Sequence, residues 1–366
     1  MTQIKSNNIA IQYFNEGDRL FNLTKYVEAI EYFDKAIENE PKFAQAYNKK
    51  AFSFLRLDKC YHSLKSVETS LNLNPKLVSA YITKAYCLKC LNQEEMSRQM
   101  LEKANELNPN PTNAESILYK GVCLRGLNDH IKAIEYFDKL INQNEANADM
   151  ALRYKGDAFW SLNKYDEALE HYNQAVLTNP ECYTALFQKA DLLCELDRLK
   201  EAEEIYDKLL SINSNNFRAN KYKKEIVYKL NKDKPLSTID RNDHINSVFF
   251  YEKALKEESK ALKYLDIAIE IDPNYEDALI DKAIILFYRN RHNECLEYCD
   301  KIFKLDIYCE NIQLYEIKVR SLFILNRLFD ARMCADKALT FAKNEHKLVK
   351  RKNEILEAIR DQLFGM

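Results

Sequence analysis

Residues Ala10 to Pro41, AIQYFNEGDRLFNLTKYVEAIEYFDKAIENEP, decide the fold. Pro75 and Pro109 follow Pro41 at intervals of 34, and the same interval carries Gly17 to Ala51 and Ala85. A fixed period of this length marks a chain made of one supersecondary unit repeated many times, each copy packing on its neighbours. With Ala10 as position 1, Gly17 stands at position 8, Ala29 at 20, Phe33 at 24, Ala36 at 27 and Pro41 at 32. Later units restart near Ala44, Val78, Ala114, Asp149, Tyr183, Asn242, Glu276 and Ile312, with small insertions before the fourth, fifth and ninth.

The small positions have a physical reason. Two antiparallel helices approach closely only if the residues at their crossing are small. Position 20 obeys this throughout: Ala29, Ser63, Ser97, Ala133, Ala168, Ala202, Ala261, Cys295 and Ala331. Position 8 follows with Gly17, Ala51, Ala85, Gly121, Gly156, Ala190 and Ala283, then departs at Phe249 and Val319. Position 27 is small at Ala36, Ser70, Ala104, Ala175, Ala268 and Ala338; Leu140, Leu209 and Ile302 depart, which predicts looser packing there. Proline at 32, repeated at Pro180 and Pro273, stops the second helix because the residue before a proline is pushed out of the helical region.

Composition agrees with a helical array. Five glycines and seven prolines in 366 residues are far below the usual usage of about 7 % and about 5 %, too few turn formers for a sheet protein. Charged residues make up 30 % of the chain while the formal net charge is only −2, so no global field favours nucleic acid or an anionic membrane. The start lacks the features of a secretory signal, and no apolar run nears the length needed to span a bilayer; Ala283 to Tyr288 is among the longest. The ten cysteines, scattered through helical segments, are expected to be reduced thiols filling small core gaps, and the cytoplasm is the expected compartment.

These residues resemble the tetratricopeptide repeat, whose pattern has a large residue at 4, small ones at 8, 20 and 27, an aromatic at 24 and proline at 32. Tyr13, Gly17, Tyr26, Ala29, Phe33, Ala36 and Pro41 match it, as do Gly156, Tyr165, Ala168, Tyr172, Ala175 and Pro180. The resemblance implies an all-α fold, a right-handed α-α superhelix of about nine helix-turn-helix repeats with capping helices. The expected division is an N-terminal tail, 1–9; six units plus a capping helix, 10–230; a linker, 231–241; and three units plus a C-terminal capping helix, 242–366. The linker, NKDKPLSTIDR, carries the Pro, Ser, Thr and Asp of a loop. Lys232, Lys234 and Arg241 are its expected tryptic sites.

The resemblance also implies that the first helix of each unit lines a concave groove. Its groove positions hold Phe14, Asp18 and Phe21; Asn48, Lys49 and Phe52; Tyr86; Tyr119 and Arg125; Arg153, Tyr154, Asp157 and Trp160; Phe187 and Asp191. Rings beside single charges are what protein-binding surfaces favour. The expected function is a scaffold or adaptor that holds an extended peptide or helix of a partner protein, with no catalytic residues, cofactor or metal. A well-known variant of the family grips chaperone C-terminal carboxylates with Lys at position 5 and Asn at 9; Phe14 and Asp18 stand there in the first unit, so that partner is not expected. The alternative is a helical-repeat RNA-binding protein using its basic capping helices, Arg218, Lys221, Lys223, Lys224 and Lys229 among them. Cys87 and Cys90 form a lone C-x-x-C with no partner pair at zinc spacing, and His292, Cys295, Cys299 and Cys309 are a conceivable ligand set in which Cys295 and Cys299 occupy the core positions 20 and 24.

Overall fold

Helix formation begins with the turn inside each repeat. At position 15 the backbone is left-handed in eight repeats: Thr24, Asp58, Asn92, Asn128, Asn163, Asp197, Asn290 and Asn326, with φ between 56° and 65°. Asn and Asp tolerate that region because their short side chains hydrogen-bond locally. The next residue donates its N–H five residues back, as Lys59 does to the Phe54 carbonyl and Arg327 to that of Leu322. This closes the first helix without glycine.

The computed structural model describes residues 2–143, 147–180, 182–214, 216–231, 247–306, 309–340 and, of the C-terminal segment, 349–350, 352–354 and 356–357. Among the described residues there is no strand. The helices are α1 (Thr2–Asn22), α2 (Tyr26–Asn39), α3 (Ala44–Arg56), α4 (Cys60–Leu73), α5 (Val78–Cys90), α6 (Glu94–Leu107), α7 (Ala114–Gly126), α8 (His130–Asn142), α9 (Ala148–Ser161) and α10 (Tyr165–Thr178). They continue with α11 (Tyr183–Glu195), α12 (Leu199–Ile212), α13 (Phe217–Asn231), α14 (Ser247–Lys256), α15 (Ala261–Ile271), α16 (Glu276–Tyr288), α17 (His292–Leu305), α18 (Ile312–Ile324) and α19 (Leu328–Leu339). Each odd helix from α1 to α11 packs on the even helix that follows; then α14 packs on α15, α16 on α17 and α18 on α19. The stretch read as an N-terminal tail is instead the start of α1. Most of the linker, with Lys232, Lys234 and Arg241, and most of the C-terminal cap lie outside the described residues.

Position 8 is complementary in size to position 24, sixteen residues on, in most repeats; Ala190 against the buried ring of Tyr206 is the exception. A Cβ added to Gly17 would stand 2.7 Å from Phe33 Cε1, one on Gly121 2.4 Å from Phe137, and one on Gly156 2.6 Å from Tyr172. Where position 8 is Ala51 or Ala85, position 24 is Val67 or Leu101. Val319 is the extreme case, facing Ala335 in one small core. The serines at position 20 satisfy their hydroxyls on the facing helix: Ser63 donates to the Ala51 carbonyl at 2.6 Å and Ser97 to that of Ala85 at 2.7 Å. Leu140, Leu209 and Ile302, expected to pack loosely, are fully buried. The three occur in units without Pro at position 32, although the helices of Leu209 and Ile302 end in the same extended cap as those of Ala175 and Ala268.

Consecutive repeats are also joined by an ion-pair ladder. The acid at position 25 meets the lysine at position 7 of the next repeat in Asp34–Lys50 (2.5 Å), Glu68–Lys84 (3.1 Å), Asp138–Lys155 (2.6 Å), Asp266–Lys282 and Asp300–Lys318 (2.5 Å). Asp207–Lys223 (2.5 Å) and Asp336–Lys352 (2.6 Å) extend it to the capping segments. The sixth repeat's Lys189 has Asn173 in place of that acid, and burial draws its pKa below the ordinary lysine value.

The chain forms two compact units, Met1–Ile226 and Val227–Met366. In the second, the core is built around Phe250, Leu265, Leu279, Leu286, Cys299 and Ile302.

Candidate functional site

The first unit closes on itself. Thr24, in the turn between α1 and α2, accepts hydrogen bonds from Asn213 Nδ2 (3.3 Å) and Asn216 Nδ2 (3.2 Å), across 189 and 192 residues of sequence. Leu23 packs beside it against the core of α10 to α13. Asn216 serves twice, since its Oδ1 also accepts from the Ala219 N–H and caps α13. Thr24 is the exception among the left-handed turn residues: it is β-branched, for which φ of 59° is costly, and it is the one whose hydroxyl reaches the far end of the array.

The array lines a cavity of about 1230 Å³ that is open to solvent. Eight of the sequence-derived candidates stand on its wall: Phe21, Phe52, Tyr86, Arg125, Arg153, Tyr154, Asp157 and Trp160. Phe14, Asp18, Asn48, Lys49, Tyr119, Phe187 and Asp191 do not. Their side chains are engaged in seams between helices or repeats. Phe14 packs between Phe33 and Phe43, with ring centroids 5.7 and 5.0 Å apart. Asp18 and Lys49 form an ion pair. Asn48 is buried and donates to Ser79 Oγ, and Tyr119 donates to Glu115. Phe187 is buried edge-on against Tyr206, whose hydroxyl donates to Asp191 at 2.9 Å. Burial holds the Asp191 carboxyl above its ordinary pKa, although the Tyr206 bond and Arg218 work the other way.

On the wall, rings and charges alternate. Phe21 stacks on Phe52 at 5.4 Å, and Trp160 donates its indole N–H to Glu195 at 2.9 Å. Arg125 donates to the Tyr86 hydroxyl at 2.8 Å, and burial pushes Tyr86 up to about 12. Tyr154 stacks on Phe137 behind it, while the Arg153 guanidinium lies 3.7 Å and that of Arg125 5.5 Å from its ring centre. Asp157 is the shared counter-ion: Oδ2 is 3.3 Å from Arg153 and 4.0 Å from Arg125, and Oδ1 accepts from the Tyr172 hydroxyl at 2.9 Å.

Sequence reasoning missed Thr24, Tyr26, Asp58 and the turn to Arg218 as wall residues. A signal for one of them was present: Thr24, like Lys256 of the seventh repeat, breaks the Asn/Asp habit of position 15. Of the basic side chains of α13, Arg218 lies 3.8 Å from Asp191 and Lys223 2.5 Å from Asp207. The expectation of reduced thiols throughout is corrected as well, because the structure joins Cys60 at the start of α4 to Cys90 at the end of α5, and Cys90 stands on the cavity wall. Cys87, the other half of the C-x-x-C, faces the Ser63 hydroxyl instead. In the second unit His292 faces Ser321, and Cys295 meets Cys299 with sulfurs 4.0 Å apart. Among the described residues no helix is long and apolar enough to cross a membrane.

Three segments, 10–43, 78–111 and 155–217, match models of the tetratricopeptide repeat. Hsp70-Hsp90 organizing protein 3 of Arabidopsis thaliana is 23 % identical over 204 residues, covering 48 % of this chain and 34 % of that protein. The chain thus spans about a third of the length of this curated relative. A thermophilic TPR protein of Thermus thermophilus is 20 % identical, with a TM-score of 0.40 over 50 % of this chain and 99 % of that one. A human IFIT1 dimer with PPP-AAAA is also 20 % identical, with a TM-score of 0.44 over 77 % of this chain and 69 % of that one.

Proposed function

Because the chain is a tetratricopeptide-repeat protein, we propose that it is a scaffold or adaptor whose first six repeats hold an extended segment or helix of a partner protein in the cavity. The observation that carries this reading is the wall itself, in which Phe21, Phe52, Tyr86, Tyr154 and Trp160 stand beside charges that are largely paired. Rings of this kind provide contact area at little rotamer cost, and paired charges orient a polypeptide without demanding a polyanion. Arrays of this family bind rather than catalyse, and the chain is read as non-enzymatic on that ground.

The partner is read as something other than a chaperone tail held by the family's carboxylate clamp, since Phe14 and Asp18 occupy the clamp positions of the first repeat and Asp18 is already paired with Lys49. The two arrays, 10–230 and 242–366, and a cytoplasmic setting belong to the same proposal. Capture from the native cell tests it: the full chain should retain a defined set of proteins that Trp160→Ala and Phe52→Ala release. Identical captures by wild type and both cavity variants would sink the groove reading.

A further inference from the structure

The cavity wall holds a positive charge that its own carboxylates do not balance. Arg153 is only 8 % exposed, and Arg125 is half-buried against Tyr86 and Tyr154. The two guanidinium groups share one carboxylate, Asp157, at 3.3 and 4.0 Å. Asp157 is further occupied by the Tyr172 hydroxyl. The Nε–H groups of both arginines are buried without a hydrogen-bond partner among the described residues. A buried guanidinium with an unused donor is costly, because the group has left water and regained nothing for that N–H. Both residues line the cavity, so an anion entering there meets two guanidinium groups that share a single carboxylate.

Resting on the groove reading above, we infer that Arg125 and Arg153 form a receptor for a single carboxylate of the bound peptide, either an Asp or Glu side chain or a free C terminus. The charge count favours one carboxylate over a nucleic-acid strand. Arg56, Lys89, Arg125, Arg153 and Arg218 face the cavity, but so do Asp58, Asp149, Asp157 and Glu195. A phosphate backbone carries a charge per nucleotide and is held by surplus cations along its path. This wall has a surplus of about one, concentrated at the Arg125–Arg153 pair, and rings on either side to seat apolar neighbours. The Tyr154 ring stacks on Phe137 and lies 3.7 Å from the Arg153 and 5.5 Å from the Arg125 guanidinium, which limits how far either group can turn.

Trp160 is the only tryptophan of the chain and stands on the wall, so its emission reports entry of a ligand. The full-length protein is titrated with four pools of tryptophan-free octapeptides. Their central residue is fixed as Glu or Gln, and their C terminus is free or amidated. The Glu or free-carboxylate pools should bind at least about tenfold more tightly than the amidated Gln pool, the gain expected of a charge-assisted, two-pronged contact. Comparing the Glu-amide with the Gln-free-acid pool identifies which carboxylate is read. Arg153→Gln and, should that variant melt early, Arg125→Gln should abolish the preference, bringing the acidic and free-acid pools down to the affinity that the same variant shows for the amidated Gln pool. Equal binding of all pools overturns the carboxylate site and leaves the groove reading standing, as does an acidic preference that both variants retain. Binding of a 5′-phosphorylated ten-nucleotide RNA with no peptide pool bound overturns both.

Discussion

At the scale of single residues, the repeat is held together by volumes that sum correctly across two helices. Position 8 is glycine where position 24 is Phe33, Phe137 or Tyr172, is alanine against Tyr206, and grows to Val319 where position 24 shrinks to Ala335. This pairing yields a prediction at Gly156. Alanine there gains about 1 kcal/mol of helix propensity over glycine. Its Cβ, however, would lie 2.6 Å from a ring that cannot swing away without breaking its bond to Asp157. Overpacking of this kind costs about 1–3 kcal/mol, so Gly156→Ala should lower stability in urea unfolding despite its better propensity. Adding Tyr172→Leu, the size of partner that Ala85 already tolerates in Leu101, should recover part of the loss. Gly126→Ala is the contrast: Gly126 is exposed, and its added Cβ would meet only the flexible end of Leu101, so it should cost little. Equal losses at Gly126 and Gly156 would show that size matching is not what sets position 8.

At the scale of elements, neighbouring repeats are tied by two devices of different strength. The ladder of acid 25 to lysine 7 recurs in both units, but its members are largely exposed on the acid side, and pairs of this kind contribute about 0–1 kcal/mol each. The Cys60–Cys90 bond spans 30 residues and ties the start of α4 to the end of α5. In the chain-entropy view a loop of that length stabilises by roughly 3–4 kcal/mol. Reduction should therefore lower the midpoint of unfolding, and Cys60→Ser/Cys90→Ser should abolish the effect of reductant. A midpoint insensitive to reductant would mean that the two thiols stay apart in solution. Alkylation of the chain immediately after lysis of its native cell bears on compartment as well, because glutathione keeps cytosolic thiols reduced.

At the scale of the molecule, the first unit is not an open array whose ends fray independently. Its first interhelix turn meets its last connection through Thr24, Asn213 and Asn216. An open array behaves as a sum of nearest-neighbour terms, in which substitutions at opposite ends are additive. Thr24→Gly removes the hydroxyl while allowing the left-handed backbone at no steric cost, and Asn213→Ala removes one donor. A double-mutant cycle of the two should show a coupling of about 0.5–1.5 kcal/mol across 189 residues of chain. Strict additivity would show that the two ends of the unit do not meet in solution.

The sequence by itself determined the period, the helical pairs, the stops at proline and which faces are small, because these depend on residues within one repeat or its neighbour, where spacing along the chain equals position in space. It also marked the groove-lining helices, and Trp160, Tyr154 and Arg153 with them. It could not say that Phe14, Asp18 and Asn48 turn into seams, since neighbouring groove positions on a helix differ by a rotation that only the packing of the next repeat decides. Nor could it bring Thr24 to Asn216, or Arg218 to the same wall as Phe21. Those meetings depend on small rotations summed over six repeats. The sum turns a groove into an open-mouthed cavity, and no local pattern records it. Tertiary structure alone set Arg125 and Arg153 around a single Asp157, because the three come from two different repeats and their charge balance exists only once the helices have docked.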